Sequence, residues 1–325
     1  MNTILRNMLV ALLVLTGFSF AVDVSTCQVI SAPGTYVLTG DLTTDSGDCI
    51  TIRSDDVDLY CNAHSVSATS GTGYAIYVTE GSDNVLVDRC LVENSMGGIR
   101  AGGPGMETHN LALRGNVARN NAFGYELIWI TNSLIEGNTA WQNTHGFYMT
   151  ASRINSIREN QAYLSSQNGF YFADSPGNRI MNNLAAQNNV AGIVVAFGSG
   201  QVYVEGNEMS DNGIGLSISG AGSGASRPAS VWVTGNTITG SAESGILVSN
   251  TVSTIELSGN TIDGAGYGIN ANSAGSNFLI FNNHVRNTRE AAALVSFTPD
   301  AMISSNTLEH GTGLGVADAG LCVGP

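Results

Sequence analysis

The chain has 325 residues and a mass of 33.7 kDa, with 40 glycines, 6 prolines, 12% charged and 43% hydrophobic residues. Length alone would fit about two ordinary domains, but so apolar a chain is excluded from the solvated, disordered class and has enough material for a large core. A formal net charge of −14 leaves no basic surface for nucleic acid, and all 12 basic residues are arginine.

In chain order, residues 1–21 read as a signal peptide. Arg6 gives a weakly positive start, Met8 to Phe20 is an apolar run too short for a comfortable membrane span, and Ser19-Phe20-Ala21 has the small-x-small form of a cleavage site. This predicts a protein that is secreted, periplasmic or on the cell surface, with no transmembrane span after cleavage. Residues 22–48 read as an N-terminal cap and residues 49–325 as one repeat domain.

The repeat is the strongest signal. An apolar residue, two variable residues and Asn recur, placing Asn at 116, 138, 160, 183, 207, 236, 260, 283 and 306, in steps of 22 to 29 residues. Upstream, Cys90 takes that place in Val87–Cys90 and Asn62 takes it in Leu59–Asn62. Some eight or nine residues after each Asn comes a glycine followed by alternating apolar residues, as in Gly124–Leu127, Gly146–Met149, Gly169–Phe172, Gly192–Val195 and Gly245–Val248. Period-two alternation predicts a strand, and a second short strand precedes each Asn. A unit this short, with no room for a helix, predicts one rung of a parallel β-solenoid, about eleven rungs stacked roughly 4.8 Å apart. The recurrent Asn is expected to take a left-handed turn conformation and to bond its equivalents in a ladder. A second column of Asn121, Asn143, Asn188 and Asn212 is expected to do the same at another corner.

In an exported chain, Cys27, Cys49, Cys61 and Cys90 are expected to form disulfides, with Cys61–Cys90 on neighbouring rungs and Cys27–Cys49 the remaining pair. Cys322 lies roughly 50 Å away by rung count. It is left unpaired within the chain, to be either buried and inert or a point of end-to-end self-association.

The motif set resembles the right-handed parallel β-helix proteins, the pectin-lyase-like superfamily, and in particular its NosD-like, carbohydrate-binding and sugar-hydrolase branch. Gly34–Leu42, Gly47–Ile52 and Val57–Val66 are similar to the opening rungs of such exported proteins. The resemblance implies an all-β, right-handed parallel β-helix; for activity it implies only a range, since the scaffold carries lyases, hydrolases, epimerases and adhesins. The Asn-Thr-Asp and Gly-His-Gly motifs of polygalacturonases and the Asp-Pro-His-Asp signature of alginate epimerases do not occur. Asp45, Asp48, Asp55, Asp56 and Asp58 cluster in sequence, but their spacing matches no calcium loop. The histidines at 64, 109, 145, 284 and 310 fall on separate rungs, which argues against copper. No metal or other cofactor is expected.

Register supplies the candidate residues. In the glycine strand the second position after Gly faces out, giving a column of Arg100, Glu126, Tyr148, Tyr171, Val194, Ser217, Leu247 and Asn270; a column on the next sheet holds Arg119, Trp141 and Tyr163. Two long interruptions, Gly102–His109 and Gly220–Ala229, leave from the corner after the glycine strand and are expected to wall a groove. The groove is expected to bind an extracellular polysaccharide, with Tyr148, Tyr171, Trp141, Tyr163 and His109 contacting sugars. If it cleaves, as a lyase or glycoside hydrolase, Glu126 is the acid or base, Arg100 neutralises substrate charge, and His145 shares proton transfer, with Glu107 or His109 reaching in from the loop. The competing reading is a non-catalytic structural or adhesive surface protein that associates through its solenoid end.

Overall fold

A computed structural model describes residues 21–220, 230–250, 254–272, 277–296, 301–310 and 314–319. Every described strand lies in a parallel ladder, and three long sheets run the length of the solenoid. Sheet I holds thirteen strands that precede the Asn corner, sheet II twelve short strands that follow it, and sheet III thirteen strands that include the glycine strands, its members Gln28–Ile30, Ile50–Ile52, Tyr74–Val78 and Ala291–Ser296 having no glycine. A two-stranded sheet of Thr108–His109 and Ile130–Thr131 sits between sheets III and I. Residues 22–48 supply the first strands of all three sheets: Val22–Val24 and Gly34–Leu38 in sheet I, Gln28–Ile30 in sheet III, Leu42–Thr44 in sheet II. Residues 1–20 of the expected signal peptide, residues 221–229 of the second expected interruption and Cys322 lie outside the described residues.

The core follows from the inward positions. Val87, Val92, Ile99 and Ala101 on one rung, and Leu113, Ala118, Tyr125 and Leu127 on the next, are all fully buried. Stacking identical positions also stacks side chains, so Tyr125, Phe147 and Phe170 form an internal column with ring centroids 4.4 and 4.7 Å apart. The Tyr125 hydroxyl, sealed in this column, donates to the Asn116 carbonyl oxygen at 2.8 Å.

The nine recurrent asparagines form one continuous ladder, buried in eight of them and half-buried at Asn306. Asn138 shows the unit: its backbone N and Nδ2 both donate to Asn160 Oδ1, at 3.0 Å each, while Nδ2 also donates to the Leu113 carbonyl at 2.8 Å. None of the nine has positive φ. The left-handed corner falls on the residue before each of them, as in Gly115, Gly137, Glu159, Asn182 and Gly206. The physical reason is that the ladder Asn needs its own N–H aligned with the next rung, so the preceding residue must make the turn. Asn62 is not a member: it is exposed with φ of 51°, and Cys61 occupies the buried corner. There the Cys61–Cys90 disulfide, with Cα atoms 4.7 Å apart, links the first two rungs of the column, and Cys90 N donates to Asn116 Oδ1. Cys27–Cys49 joins the terminal rungs at 4.5 Å. In the second column serines fill the gaps, Ser95 N donating to Asn121 Oδ1 and Ser165 N to Asn188 Oδ1. A third column at the corner between sheets III and I, with Asn155 and Asn178 above Ser133, has too short a run of Asn to show in the repeat.

The arginine usage gains a physical account. Rungs place acids and arginines one above another, and the planar guanidinium spans the gap: Arg158 and Arg114 both reach Glu136, Arg119 reaches Glu93 and Arg286 reaches Asp263. Arg289 instead donates to the carbonyl oxygens of Ser241, Ala242 and Gly264 across two corners.

Candidate functional site

Sheet III positions the outward residues by its register. The ladder pairs Tyr77 with Arg100, Arg100 with Glu126, Glu126 with Tyr148 and Tyr148 with Tyr171. A second outward column runs beside it, because two inward residues, Gly124 and Tyr125 on that rung, separate Phe123 from Glu126. This second column pairs Tyr74 with Gly97, Gly97 with Phe123 and Phe123 with His145.

At the N-terminal end the two columns meet in a polar knot. The Tyr74 ring lies across the next rung, where a Cβ on Gly97 would stand 2.4 Å from its Cδ1. With glycine there, the tyrosine reaches two rungs along and its hydroxyl donates to Glu126 Oε2 at 2.7 Å. Arg100 Nη1 donates to the same tyrosine oxygen at 2.8 Å and stands 3.5 Å from Glu126 Oε2. The guanidinium lies over the rings of Tyr74 and Tyr77, 5.1 and 5.3 Å from their centroids. Burial, reinforced by the Glu126 carboxylate, pushes the Tyr74 hydroxyl up to about 12, so it is a proton donor at neutral pH. Tyr77 donates to Glu80 Oε2 at 2.9 Å, at the foot of the loop that begins at Gly102.

Further along the axis the face becomes aromatic. Tyr148 and Tyr171 stack at 5.0 Å and 4°, and Phe123 and His145 stack at 5.5 Å and 7°. The two pairs meet at a slant, with His145 5.4 Å from Tyr148 and 58° to it. The tyrosines cover each other's faces, so they offer a ligand their hydroxyl-bearing outer edges rather than two open platforms. Buried polar atoms without partners border the patch: Arg100 Nε, His145 Nδ1 and Asn168 Oδ1, the last in a residue 7% exposed. Such atoms are rare in folded chains and call for a ligand or water.

Burial holds the His145 imidazole below its ordinary range. The folded state thus disfavours the proton that the unfolded chain accepts at about pH 6.5. Stability supplied by neutral His145 is full above that pH and falls as acid drives the folded imidazole toward its charged form. Thermal unfolding followed from pH 7 to pH 5 is expected to show a loss that is smaller in His145→Phe; equal losses would contradict this assignment.

The other expected residues lie elsewhere. Trp141 and Tyr163 pair with each other on sheet II, and no ring contact joins them to the sheet III patch among the described residues. His109 stands in the two-stranded corner sheet, its backbone N bonded to Asp83 Oδ1. Glu107 is held by Arg153 at 2.8 Å. Glu126 and His145 have no hydrogen bond between them among the described residues. Tyr74, Phe123 and Asn168 are the additions that sequence reasoning missed; their signal is the position immediately before the glycine place.

Copper, which one family comparison below implies, finds no fitting donors: the described cysteines are in disulfides, His145 is packed among rings, and no cluster of three His, Cys, Asp or Glu occurs among the described residues.

Fold and face together define the class: the chain is a right-handed parallel β-helix repeat protein. Residues 48–209 match the family described as right handed beta helix region, and residues 165–307 match the family of the periplasmic copper-binding protein NosD. Comparison with curated proteins finds no match. Among solved structures, the A-module of mannuronan C-5 epimerase AlgE6 from Azotobacter vinelandii aligns with TM-score 0.69 at 16% identity, over 89% of this chain and 88% of that one. The AlgE4 A-module from the same organism aligns at 0.63 and 14%, over 92% and 91%. The periplasmic alginate epimerase AlgG aligns at 0.58 and 13%, over 89% of this chain and 75% of that one. At such identities the likeness is one of fold.

Proposed function

We propose that the chain is an exported β-helix protein whose sheet III face binds an extracellular or cell-surface polysaccharide along the solenoid axis. The observation that carries this reading is the patch of four packed, half-buried rings bordered by buried polar atoms without partners. Apolar ring edges that carry hydroxyls suit a sugar chain, which alternates C–H surface with hydroxyl groups. Two disulfides support an oxidising location. The fold neighbours named for mannuronan and alginate support a polysaccharide as the ligand class.

The test is binding to a glycan array. Tyr148→Ala is expected to weaken the selected glycan about tenfold, roughly the loss of one good aromatic contact; unchanged binding by Tyr148→Ala would contradict the assignment of this face. Cleavage is a further reading favoured by one observation, a carboxylate only 8% exposed and clasped between a tyrosine hydroxyl and a guanidinium at Glu126. Glu126→Gln is then expected to abolish release of reducing ends or unsaturated products while binding persists. Product release undiminished in Glu126→Gln would exclude Glu126 as the acid or base.

A further inference from the structure

We infer that the ligand of the sheet III face is an uncharged, hydroxyl-rich polysaccharide and not a polyuronate. This rests on the polysaccharide reading above and names its substrate class.

Charge is distributed unequally among the three sheets. Sheets I and II carry outward acids and arginines on successive rungs, as in Arg114, Glu136 and Arg158 or Glu93 and Arg119. From Gln28–Ile30 to Ala291–Ser296, the strands of sheet III carry only Arg100 and Glu126 as charged side chains. Those two cancel: they are 3.5 Å apart, and Arg100 Nη1 is committed to Tyr74 and Glu126. His145 adds no charge, since burial keeps the imidazole neutral. The rest of the face is aromatic, aliphatic, amide or hydroxyl, including Tyr148, Tyr171, Asn168 and Ser244.

Along the aromatic stretch, on the strands Phe123–Ile128, His145–Thr150 and Asn168–Ala173, a polyuronate meets no arginine; the exposed Arg53 lies at the N-terminal edge of the face beside Tyr77 and Glu80, and the chain as a whole carries a net charge of −14. Desolvating its carboxylates against neutral groups costs free energy with no ion pair in return. A sugar hydroxyl both donates and accepts. It can therefore pair with the hydroxyl-bearing edges of Tyr148 and Tyr171, which accept as well as donate. The rim carries two large rings and an acid, the exposed Asp174, which repels a carboxylate. Trp129 and Phe197, 38% and 39% exposed, occupy the corner that ends their sheet III strands, both with positive φ, 57° and 27°. A left-handed backbone is costly for so bulky a side chain, and the corner holds these rings outside the core beside the uncharged face.

The experiment is titration calorimetry of the full chain with soluble neutral polysaccharides (β-glucan, xylan, mannan) and with polygalacturonate and alginate, each at low and moderate salt. A neutral polysaccharide is expected to bind with affinity that changes less than about twofold with salt, and the polyuronates at least about tenfold more weakly, improving as salt screens the repulsion. Glu126→Gln leaves the Arg100 charge uncompensated and is expected to raise polyuronate affinity about fivefold at low salt, an effect lost at high salt. A polyuronate that binds the unaltered chain more tightly than every neutral polysaccharide, and is weakened by salt, overturns the inference while the polysaccharide reading stands. Binding of neither class by folded chain overturns that reading, and the inference with it.

Discussion

Replacing Asn183 by alanine is expected to lower the unfolding free energy by about 3–5 kcal/mol, because it orphans several buried groups at once. Asn183 Oδ1 accepts from both the backbone N and the Nδ2 of Asn160, at 2.9 and 3.0 Å, and its own Nδ2 donates to the Ile157 carbonyl and to Asn207 Oδ1. Alanine takes the partner from two donors and a carbonyl oxygen around a side chain that is only 1% exposed. The neighbouring Asn182→Gly is the control. Asn182 is exposed and has φ of 54°, a conformation that suits glycine, so its replacement is expected within about 0.5 kcal/mol of the unaltered chain. Chemical denaturation of the two variants decides; equal midpoints would mean that the ladder does not hold the rungs together.

The second large effect is expected from Gly146→Ala, about 3 kcal/mol of destabilisation by overpacking. A Cβ at Gly146 would stand 2.5 Å from the Gly169 carbonyl oxygen, 3.0 Å from Ala162 Cβ and 3.3 Å from Ala140 Cβ. None of these is the far end of a flexible side chain, so relief requires moving backbone, and the backbone is fixed by the parallel ladder above and below. Gly146 is not in the left-handed region, so close approach alone requires glycine there. Gly137→Ala offers the contrast: φ is 63° and nothing lies within 4 Å of the added Cβ, so its cost is the conformational one, about 1 kcal/mol. A smaller loss in Gly146→Ala than in Gly137→Ala would contradict the packing argument.

The solenoid was legible because its physics is periodic. One ladder Asn and one close-packed glycine per rung leave a spacing that a reader can count, and the outward column from Arg100 to Asn270 follows from strand alternation around that glycine. What the period hides is what depends on a break in alternation or on a change of rung length. Phe123 and His145 face out although a strict alternation from Glu126 and Tyr148 would turn them inward, because the glycine between lets two residues in succession point to the core. Asn62 was misplaced for a similar reason: the corner between Tyr60 and Ser65 carries extra residues, so Cys61 takes the buried place and Asn62 the left-handed turn. The pairing of Arg100 with Glu126 was legible, because the outward column sets the two on adjacent rungs. The tyrosine between them was not: it depends on Tyr74 lying flat over Gly97, and Tyr74 and Glu126 are 52 positions apart.

That contact changes what the candidate groups can do. Arg100 was expected to neutralise an acidic substrate; in the fold its Nη1 donates to Tyr74 and stands 3.5 Å from Glu126, so its charge is balanced by a neighbouring carboxylate. The face of this β-helix is therefore better matched to hydroxyl groups than to carboxylates.

The most direct measurement is calorimetric titration of the unaltered chain and of Tyr148→Ala with one neutral polysaccharide that the chain retains on an array. The account predicts salt-insensitive binding by the unaltered chain and about tenfold weaker binding by the variant, with unfolding curves that coincide. Equal affinities of the two chains would show that the sugar sits elsewhere and would contradict the assignment of sheet III as the binding face.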